Sequence, residues 1–152
     1  MRKLGRRLAI VGVSAVVALT MLGSPAQAAT NPYTAAEACN NDFGGSWAST
    51  SDGHLSVYAG STKVGDVYLM YNSSTGYNCV TTIKRVSIGT KTPVMAQVLA
   101  KGGSEYAADS GNYKYYAAKQ TYAKDTCVVY GGWVYYNGVY NREDQDTWSN
   151  CD

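Results

Sequence analysis

The four cysteines and the single histidine limit the chemistry that this chain could carry out. Cys39, Cys79, Cys127 and Cys151 lie at least 24 residues apart, whereas metal-binding cysteines and histidines usually occur in close pairs. The chain has an even number of cysteines, and all four follow a predicted export signal. This combination predicts disulfides instead of a metal site. Two bridges would leave no thiol for nucleophilic catalysis.

Four cysteines allow three pairings, and the sequence leaves the choice between them open. We favour Cys39–Cys79 together with Cys127–Cys151, because each bridge would then tie a terminal segment to a strand-like segment. The strongest alternative joins Cys79 to Cys127, which lie in similar sequence contexts. On the chain-entropy model, each favoured bridge would stabilise the fold by roughly 3–4 kcal/mol.

The residues available for acid–base catalysis are few. A Ser/His/acid triad would have to use His54 as its base, but the Ser and Asp in 51–54 are typical turn formers. We therefore expect a surface histidine at a strand edge. Glycoside hydrolysis needs two carboxyl groups facing one bond, and Glu37, Glu105 and Glu143 lie in polar loops or terminal segments. The sequence predicts no catalytic residue and no enzyme.

The acidic tail is the segment that could offer oxygen ligands to a cation. Residues 141–146 contain Glu143, Asp144 and Asp146, but they lack the Asp-x-Asp-x-Asp-Gly spacing of a calcium loop. We expect a solvated turn, no metal and no cofactor, and leave open whether this tail binds Ca²⁺.

Tyrosine is the residue type most open to a binding function, since the chain has 14 Tyr against 3 Trp and 1 Phe. Exposed Tyr and Trp contact glycans or proteins well because they are large, rigid and amphipathic. The alternative for each is to pack on a sheet. The candidate binding surface comprises Tyr113, Tyr115, Tyr116, Trp133, Tyr135, Tyr136, Tyr140 and Trp148.

The N-terminus predicts export. Met1–Arg7 carries four positive charges, Leu8–Leu22 is uncharged and largely apolar, and 26–28 is an Ala-x-Ala cleavage pattern. A membrane-spanning helix needs about 20 apolar residues, and this run has 15. We therefore expect a signal peptide at 1–28 and a single secreted domain at 29–152, without membrane attachment.

The expected mature domain is small and nearly balanced in charge. Four of the 13 basic residues precede residue 8, so residues 29–152 carry 9 Lys and Arg against 11 Asp and Glu. These charges form no basic stripe, and nucleic acid is not an expected partner.

Alternating apolar residues between turn signals predict an all-β domain. Strands are predicted at 54–59, 64–72, 77–88, 94–100, 113–123, 126–130 and 133–136. Loops or tails are predicted at 40–53, 101–112 and 141–152. About seven short strands indicate a small antiparallel sandwich or barrel. We also expect one helical turn at 34–38, a β-bulge near Lys84-Arg85 and a hairpin turn at Gly131-Gly132.

Two stretches of the sequence are the most specific. They are 71–80, with the pattern Tyr-Asn-x-x-Thr-Gly-x-Asn-Cys-Val, and 109–113, with Asp-Ser-Gly-Asn-Tyr. Between an early Cys39 and a last Cys151, and behind a signal peptide, they resemble the spore-associated protein A family of filamentous actinobacteria. The segment 133–148 departs from the family pattern.

This resemblance implies a location more than a mechanism. It implies a small secreted protein at the outer surface of spores or aerial hyphae, and it transfers no catalytic residue. The sequence thus predicts a non-enzymatic surface protein whose partner would be a cell-wall or spore-surface polysaccharide or protein. The alternatives are a polysaccharide- or protein-binding module that uses exposed Tyr and Trp, or a small secreted inhibitor. Neither the ligand nor the oligomeric state follows from the sequence.

Overall fold

Two four-stranded antiparallel sheets face each other in the computed structural model, which describes residues 29–151. The elements are helix α1 (Ala35–Phe43) and strands β1 (Ala48–Ala59), β2 (Thr62–Asn72), β3 (Tyr77–Lys84), β4 (Thr92–Ala100), β5 (Ala107–Tyr113), β6 (Tyr116–Tyr122), β7 (Val128–Tyr136) and β8 (Val139–Ser149). Sheet A has the order β1-β2-β3-β6, and sheet B has the order β5-β4-β7-β8. The predicted antiparallel all-β fold is confirmed, while the predicted signal peptide lies outside the described residues.

The main core lies between the two sheets. Inward-facing residues such as Val67 and Leu69 of β2, Val94 and Val98 of β4, and Val134 of β7 are fully buried. Burying each such side chain contributes about 1.5–3 kcal/mol. The edge strands of opposite sheets, β1 with β8 and β5 with β6, also lie against each other. The sandwich is thereby closed along both sides, which protects its edge strands.

Two strands form from segments whose polarity predicts a loop and a tail. β5 and β8 are edge strands of sheet B with many exposed residues, and exposed edge strands commonly carry polar and charged side chains. Across residues 29–151, no helix is long and apolar enough to span a membrane.

The predicted hairpin turn at Gly131-Gly132 is wrong, because β7 runs straight through both glycines. A Cβ atom on Gly132 would collide with the hydroxyl of Thr82 in the facing sheet, so this glycine permits close approach of two sheets. The turn lies instead at Asn137 and Gly138, whose φ angles are 51° and 83°. Asn-Gly with two positive φ angles is the preferred two-residue hairpin turn.

The β-bulge predicted near Lys84-Arg85 is also wrong, because β3 ends at Lys84. The fully buried Lys84 Nζ donates hydrogen bonds to the carbonyl oxygens of Ser87, Thr90 and Tyr113, at 3.1, 2.8 and 3.0 Å. Burial lowers the pKa of Lys84 to about 8, while the three carbonyls favour the charged form. The ammonium group of Lys84 therefore holds the loop that follows β3 in place.

Helix α1 covers part of the outer face of sheet A. Thr34 caps it, because its hydroxyl accepts from the Glu37 N–H and the Glu37 carboxylate accepts from the Thr34 N–H. The predicted helical turn is confirmed, and the helix continues to Phe43. A second, smaller core lies under α1 and contains Cys39, Trp47, Met70, Cys79 and Ala118.

Both predicted disulfides are present, and the structure has the pairing favoured from the sequence. Cys39–Cys79 joins α1 to the central strand β3 of sheet A. Cys127–Cys151 joins the residue before β7 to the end of the described chain after β8. One bridge therefore fixes the helix, and the other fixes the C-terminal hairpin.

Candidate functional site

A cleft of about 490 Å³ lies between the C-terminal end of α1 and the β5–β6 hairpin. This volume is within the roughly 300–1,000 Å³ range of small-molecule sites. Five aromatic residues line it, namely Tyr33, Phe43, Tyr113, Tyr115 and Tyr116. Tyr113, Tyr115 and Tyr116 belong to the candidate binding surface predicted from the sequence.

One wall is built within the single strand β5. Asp109, Gly111 and Tyr113 share one face because side chains alternate along a strand. The Tyr113 hydroxyl donates to Asp109 Oδ1 at 2.7 Å, and its ring lies over Gly111, where an added Cβ would be 2.8 Å from the ring. The other Asp109 oxygen accepts from the Ala118 N–H of β6 at 3.3 Å. The Asp-Ser-Gly-Asn-Tyr stretch thus positions a tyrosine and joins the edges of the two sheets.

The opposite wall joins β6 to α1. The Tyr116 hydroxyl donates to Asp42 Oδ1 at 3.0 Å and accepts from Asn41 Nδ2 at 2.8 Å. Tyr116 also packs against the second core below the helix. A second tyrosine–aspartate pair therefore faces the cleft, and it also ties the last turn of α1 to sheet A.

The N-terminal segment forms the third wall and is held by Asn31. The buried Asn31 amide donates to the carbonyl oxygens of Lys84 and Tyr115 at 3.1 and 2.8 Å, and its oxygen accepts from the Tyr33 N–H at 3.0 Å. The Tyr33 ring packs 5.5 Å from that of Tyr115 and 5.1 Å from that of Tyr116, between centroids. These contacts fix the position of Tyr33 without any ligand.

The cleft is electrostatically unusual because its two carboxyl groups have tyrosine partners. Burial raises the pKa of Asp42, the Tyr116 hydrogen bond opposes this, and the charge of Asp109 raises it further. The pKa of Tyr113 is raised first by its bond to Asp109, and that of Tyr116 first by burial. Both hydroxyls therefore stay protonated donors at neutral pH. Within the described residues, neither aspartate forms a salt bridge.

The other predicted aromatic residues lie elsewhere. Trp133, Tyr135 and Tyr140 are on the outer face of sheet B, where the Tyr140 ring is 4.7 Å from Trp133 and 5.0 Å from Tyr135. We call these three residues the sheet B cluster. Tyr136 packs against the main core, and Trp148 lies beside Lys101 with 6.0 Å between the ammonium and the ring.

The single histidine belongs to an ion cluster on the other edge of sheet A. His54 lies on edge strand β1 and is partly exposed, as predicted, and its Nε2 is 2.7 Å from Oδ1 of the buried Asp66. Lys63 Nζ and Arg85 Nε lie 2.6 and 2.5 Å from the same carboxylate. Burial would raise the pKa of Asp66, but hydrogen bonds from Lys63, His54 and Arg85 outweigh it and lower that pKa.

This ion cluster does not have the arrangement of a catalytic triad. The neighbouring hydroxyl of Ser56 lies 3.4 Å from the Asp66 carboxylate, whereas a triad needs its nucleophile on the second nitrogen of the histidine. The contacts instead join β1, β2 and the residue after β3. We therefore assign the cluster to the stability of sheet A.

The acidic residues considered from the sequence take other places. Glu37 caps α1, and Asp144 pairs with Arg142 in β8. Over residues 29–151, no three His, Cys, Asp or Glu side chains are grouped so that they could hold a metal ion. The acidic segment predicted to be a turn is part of a strand.

The candidate surface predicted from the sequence omits Tyr33, Asp42 and Asp109, whose contacts build the walls of the cleft. Asp109 could have been found, because Asp109, Gly111 and Tyr113 have the alternate spacing that puts them on one face of a strand. Asp42 and Tyr33 carry no such local signal, since only the packing of α1 on sheet A brings them to the cleft.

The chain is similar to a curated protein over about half of its length. The chain is 42% identical over 80 residues to spore-associated protein A of Streptomyces coelicolor, which covers 51% of this chain and 49% of that protein. The resemblance to that family is confirmed, and the chain spans about half the length of the curated relative that it matches. No family model and no solved structure matches the chain.

Proposed function

We propose that this protein is a secreted, non-enzymatic component of the spore or aerial-hyphal surface that binds a surface polysaccharide through the cleft between α1 and the β5–β6 hairpin. The name of the similar protein supports an association with spores, and two disulfides fit an oxidising, extracellular compartment. The observation that carries the binding proposal is a cleft lined by five aromatic residues and two hydroxyl–carboxylate pairs.

Such a cleft suits sugars for a physical reason. A pyranose ring has apolar faces that pack on aromatic rings, and its hydroxyls donate strong hydrogen bonds to carboxylates. Asp42 and Asp109 supply the acceptors, while Tyr113 and Tyr116 supply ring surface and fix both carboxylates in place. A site that is held in position before binding loses less entropy when the ligand arrives.

The same contacts support binding rather than hydrolysis. Glycosidases need one carboxyl group as acid and a second as base or nucleophile at the scissile bond. Both oxygen atoms of Asp109 already accept hydrogen bonds, from the Tyr113 hydroxyl and the Ala118 N–H. A carboxylate held in this way is poorly placed to attack or to take up a proton.

Retention on insoluble polymers tests the binding proposal. The protein should bind to at least one of chitin, cellulose and peptidoglycan, and it should release no reducing sugar. The Tyr116→Ala variant should lose retention, while Tyr140→Ala, which removes an exposed tyrosine of the sheet B cluster, should keep it. Absence of retention on all three polymers by a folded protein would contradict polysaccharide binding, and sugar release would contradict the non-enzymatic role.

Fractionation of a culture tests the location separately. An antibody against the protein should detect it in the medium, on aerial hyphae or on spores. Detection in the cytoplasm alone would contradict the proposed location, whatever the polymer assay shows.

A further inference from the structure

A second cleft, of about 400 Å³, lies between the segment before α1 and the outer face of sheet A. Its floor is formed by Met70 and Ile83, and its polar wall by Ser49, Tyr68 and Arg85. It differs from the first cleft in charge, because its lining contains a guanidinium and no carboxylate, whereas the first is lined by two aspartates and two lysines.

Tyr33 lines both clefts. Residues 34–36, at the start of α1, continue along the second cleft, whereas Asp42 and Phe43, at its end, line the first. Ile83 and Tyr116 are direct partners in the β3–β6 pair, so the floor of the second cleft lies beside a wall of the first on sheet A.

We propose that the two clefts form one continuous site for a polysaccharide chain, which passes over Tyr33 and places sugar units on both sides of it. This inference rests on the proposed function and specifies its ligand as an extended stretch of several sugars rather than a single terminal sugar. The Asn31 hydrogen bonds and the packing of Tyr33 on Tyr115 and Tyr116 hold the shared wall in place.

The second cleft supplies a guanidinium group, whereas the first is lined by the carboxylates of Asp42 and Asp109 and the ammonium groups of Lys114 and Lys119. Arg85 uses its Nε atom to bond Asp66, and its side chain is 39% exposed, so its terminal amino groups can donate to a ligand oxygen. Ser49 adds an exposed hydroxyl, which contacts the Met70 sulfur at 3.9 Å. A chain across Tyr33 would thus meet carboxylates and ammonium groups in the first cleft, and a guanidinium group and the Ser49 hydroxyl in the second.

The dependence of affinity on chain length tests this inference. Calorimetric titration should use oligosaccharides of the retained polymer, from the disaccharide to the hexasaccharide. Affinity should increase by about tenfold or more once the chain spans both clefts, because the second contact becomes intramolecular. Equal affinity for all lengths in a protein that still requires Tyr116 would overturn the two-cleft site and leave the proposed function intact.

Filling the second cleft provides the matched variant. Ser49→Trp should abolish the gain with chain length and leave disaccharide binding within about twofold. Ser110→Trp, at an exposed serine of edge strand β5 outside both clefts, should behave like the unmodified protein. Thermal unfolding of both variants checks the fold. A folded Ser49→Trp protein that binds the hexasaccharide as tightly as Ser110→Trp would overturn the inference.

Discussion

The outer faces of the two sheets carry similar residues but have different structures. On sheet A, helix α1 packs against β2, β3 and β6, and clefts lie on both sides of it. On sheet B, Trp133, Tyr135 and Tyr140 pack on one another at interplanar angles of 83° and 58°. Rings at such angles pack edge to face, so together they do not form one flat surface.

The comparison shows that aromatic residues alone do not make a cleft in this fold. The tyrosines of sheet A line a cavity because a helix and an N-terminal segment stand beside them. The helix and this segment are held in place by the Cys39–Cys79 bridge, by Asn31 and by a hydrogen bond from Trp47 Nε1 to the Gly44 carbonyl at 2.8 Å. The proposed binding site therefore depends on the contacts that hold the helix and the N-terminal segment in place.

Removing the two disulfides separately should have the largest effect. The loops closed by Cys39–Cys79 and Cys127–Cys151 span 40 and 24 residues, so each double Cys→Ser variant should lose about 3–4 kcal/mol of unfolding free energy. Only loss of Cys39–Cys79 should also abolish polymer retention, because it frees α1. Denaturant unfolding and the polymer assay measure both effects. Equal retention by the two variants would contradict a role for the bridge in the cleft.

Asp66→Asn should have the next largest effect, at about 1–3 kcal/mol, since it leaves Lys63 and Arg85 without their buried partner. Because the folded pKa of Asp66 is lowered, its contribution is present above an unfolded pKa of about 3.9 and is lost as the pH falls through the folded pKa. Unfolding between pH 6 and pH 2 should therefore be less pH-dependent in the variant. A parallel pH dependence in both proteins would contradict the assigned ion cluster.

Alanine at single tyrosines compares the two faces directly. Tyr116→Ala should weaken oligosaccharide binding by more than about tenfold, while Tyr140→Ala should change it less than about twofold. Tyr116→Phe separates the ring from the hydroxyl, and should keep part of the affinity while losing the bonds to Asn41 and Asp42. Calorimetry with the retained oligosaccharide measures all three. A larger loss in Tyr140→Ala would place the ligand on sheet B.

The smallest expected effect comes from Lys84, which connects β3 of sheet A to the last residue of β5 in sheet B. Its folded pKa is lowered to about 8, so the cost of burying the charged amine is present below that pH. Unfolding free energy should rise as the pH increases from 8 to 9.5, because the unfolded chain then binds more protons than the folded one. The Lys84→Met variant should lack this rise, and an identical rise in it would contradict the assignment.

The sequence predicts the inner layers of this fold better than its edges. β2 and β4 were found because Val67, Leu69, Val94 and Val98 face the core and alternate with other residues. β8 was missed because an exposed edge strand can be polar, and its hairpin was misplaced although Asn137-Gly138 gives the stronger turn signal.

The candidate site divides in a similar way. The tyrosine-rich sequence predicts Tyr113 and Tyr116 as binding residues. Asp109, the partner of Tyr113, lies on the same strand, so the alternate spacing of the two residues could have predicted it. The partner of Tyr116, Asp42, lies 74 residues away in the chain and is brought there by packing of the helix. No periodicity or motif encodes that distance, so this half of the cleft required the structure.

NMR mapping of a bound oligosaccharide distinguishes the clefts beside α1 from the sheet B cluster as the binding surface. The domain at 29–152, labelled with ¹⁵N, would be titrated with a hexasaccharide of whichever polymer retains it. We expect amide shift changes at Tyr33, at Asp42 and Phe43, and in 113–119, with further changes at Ser49 and Arg85 of the second cleft, while 133–142 stays unchanged. Shift changes that concentrate in 133–142 and spare the clefts would contradict this expectation.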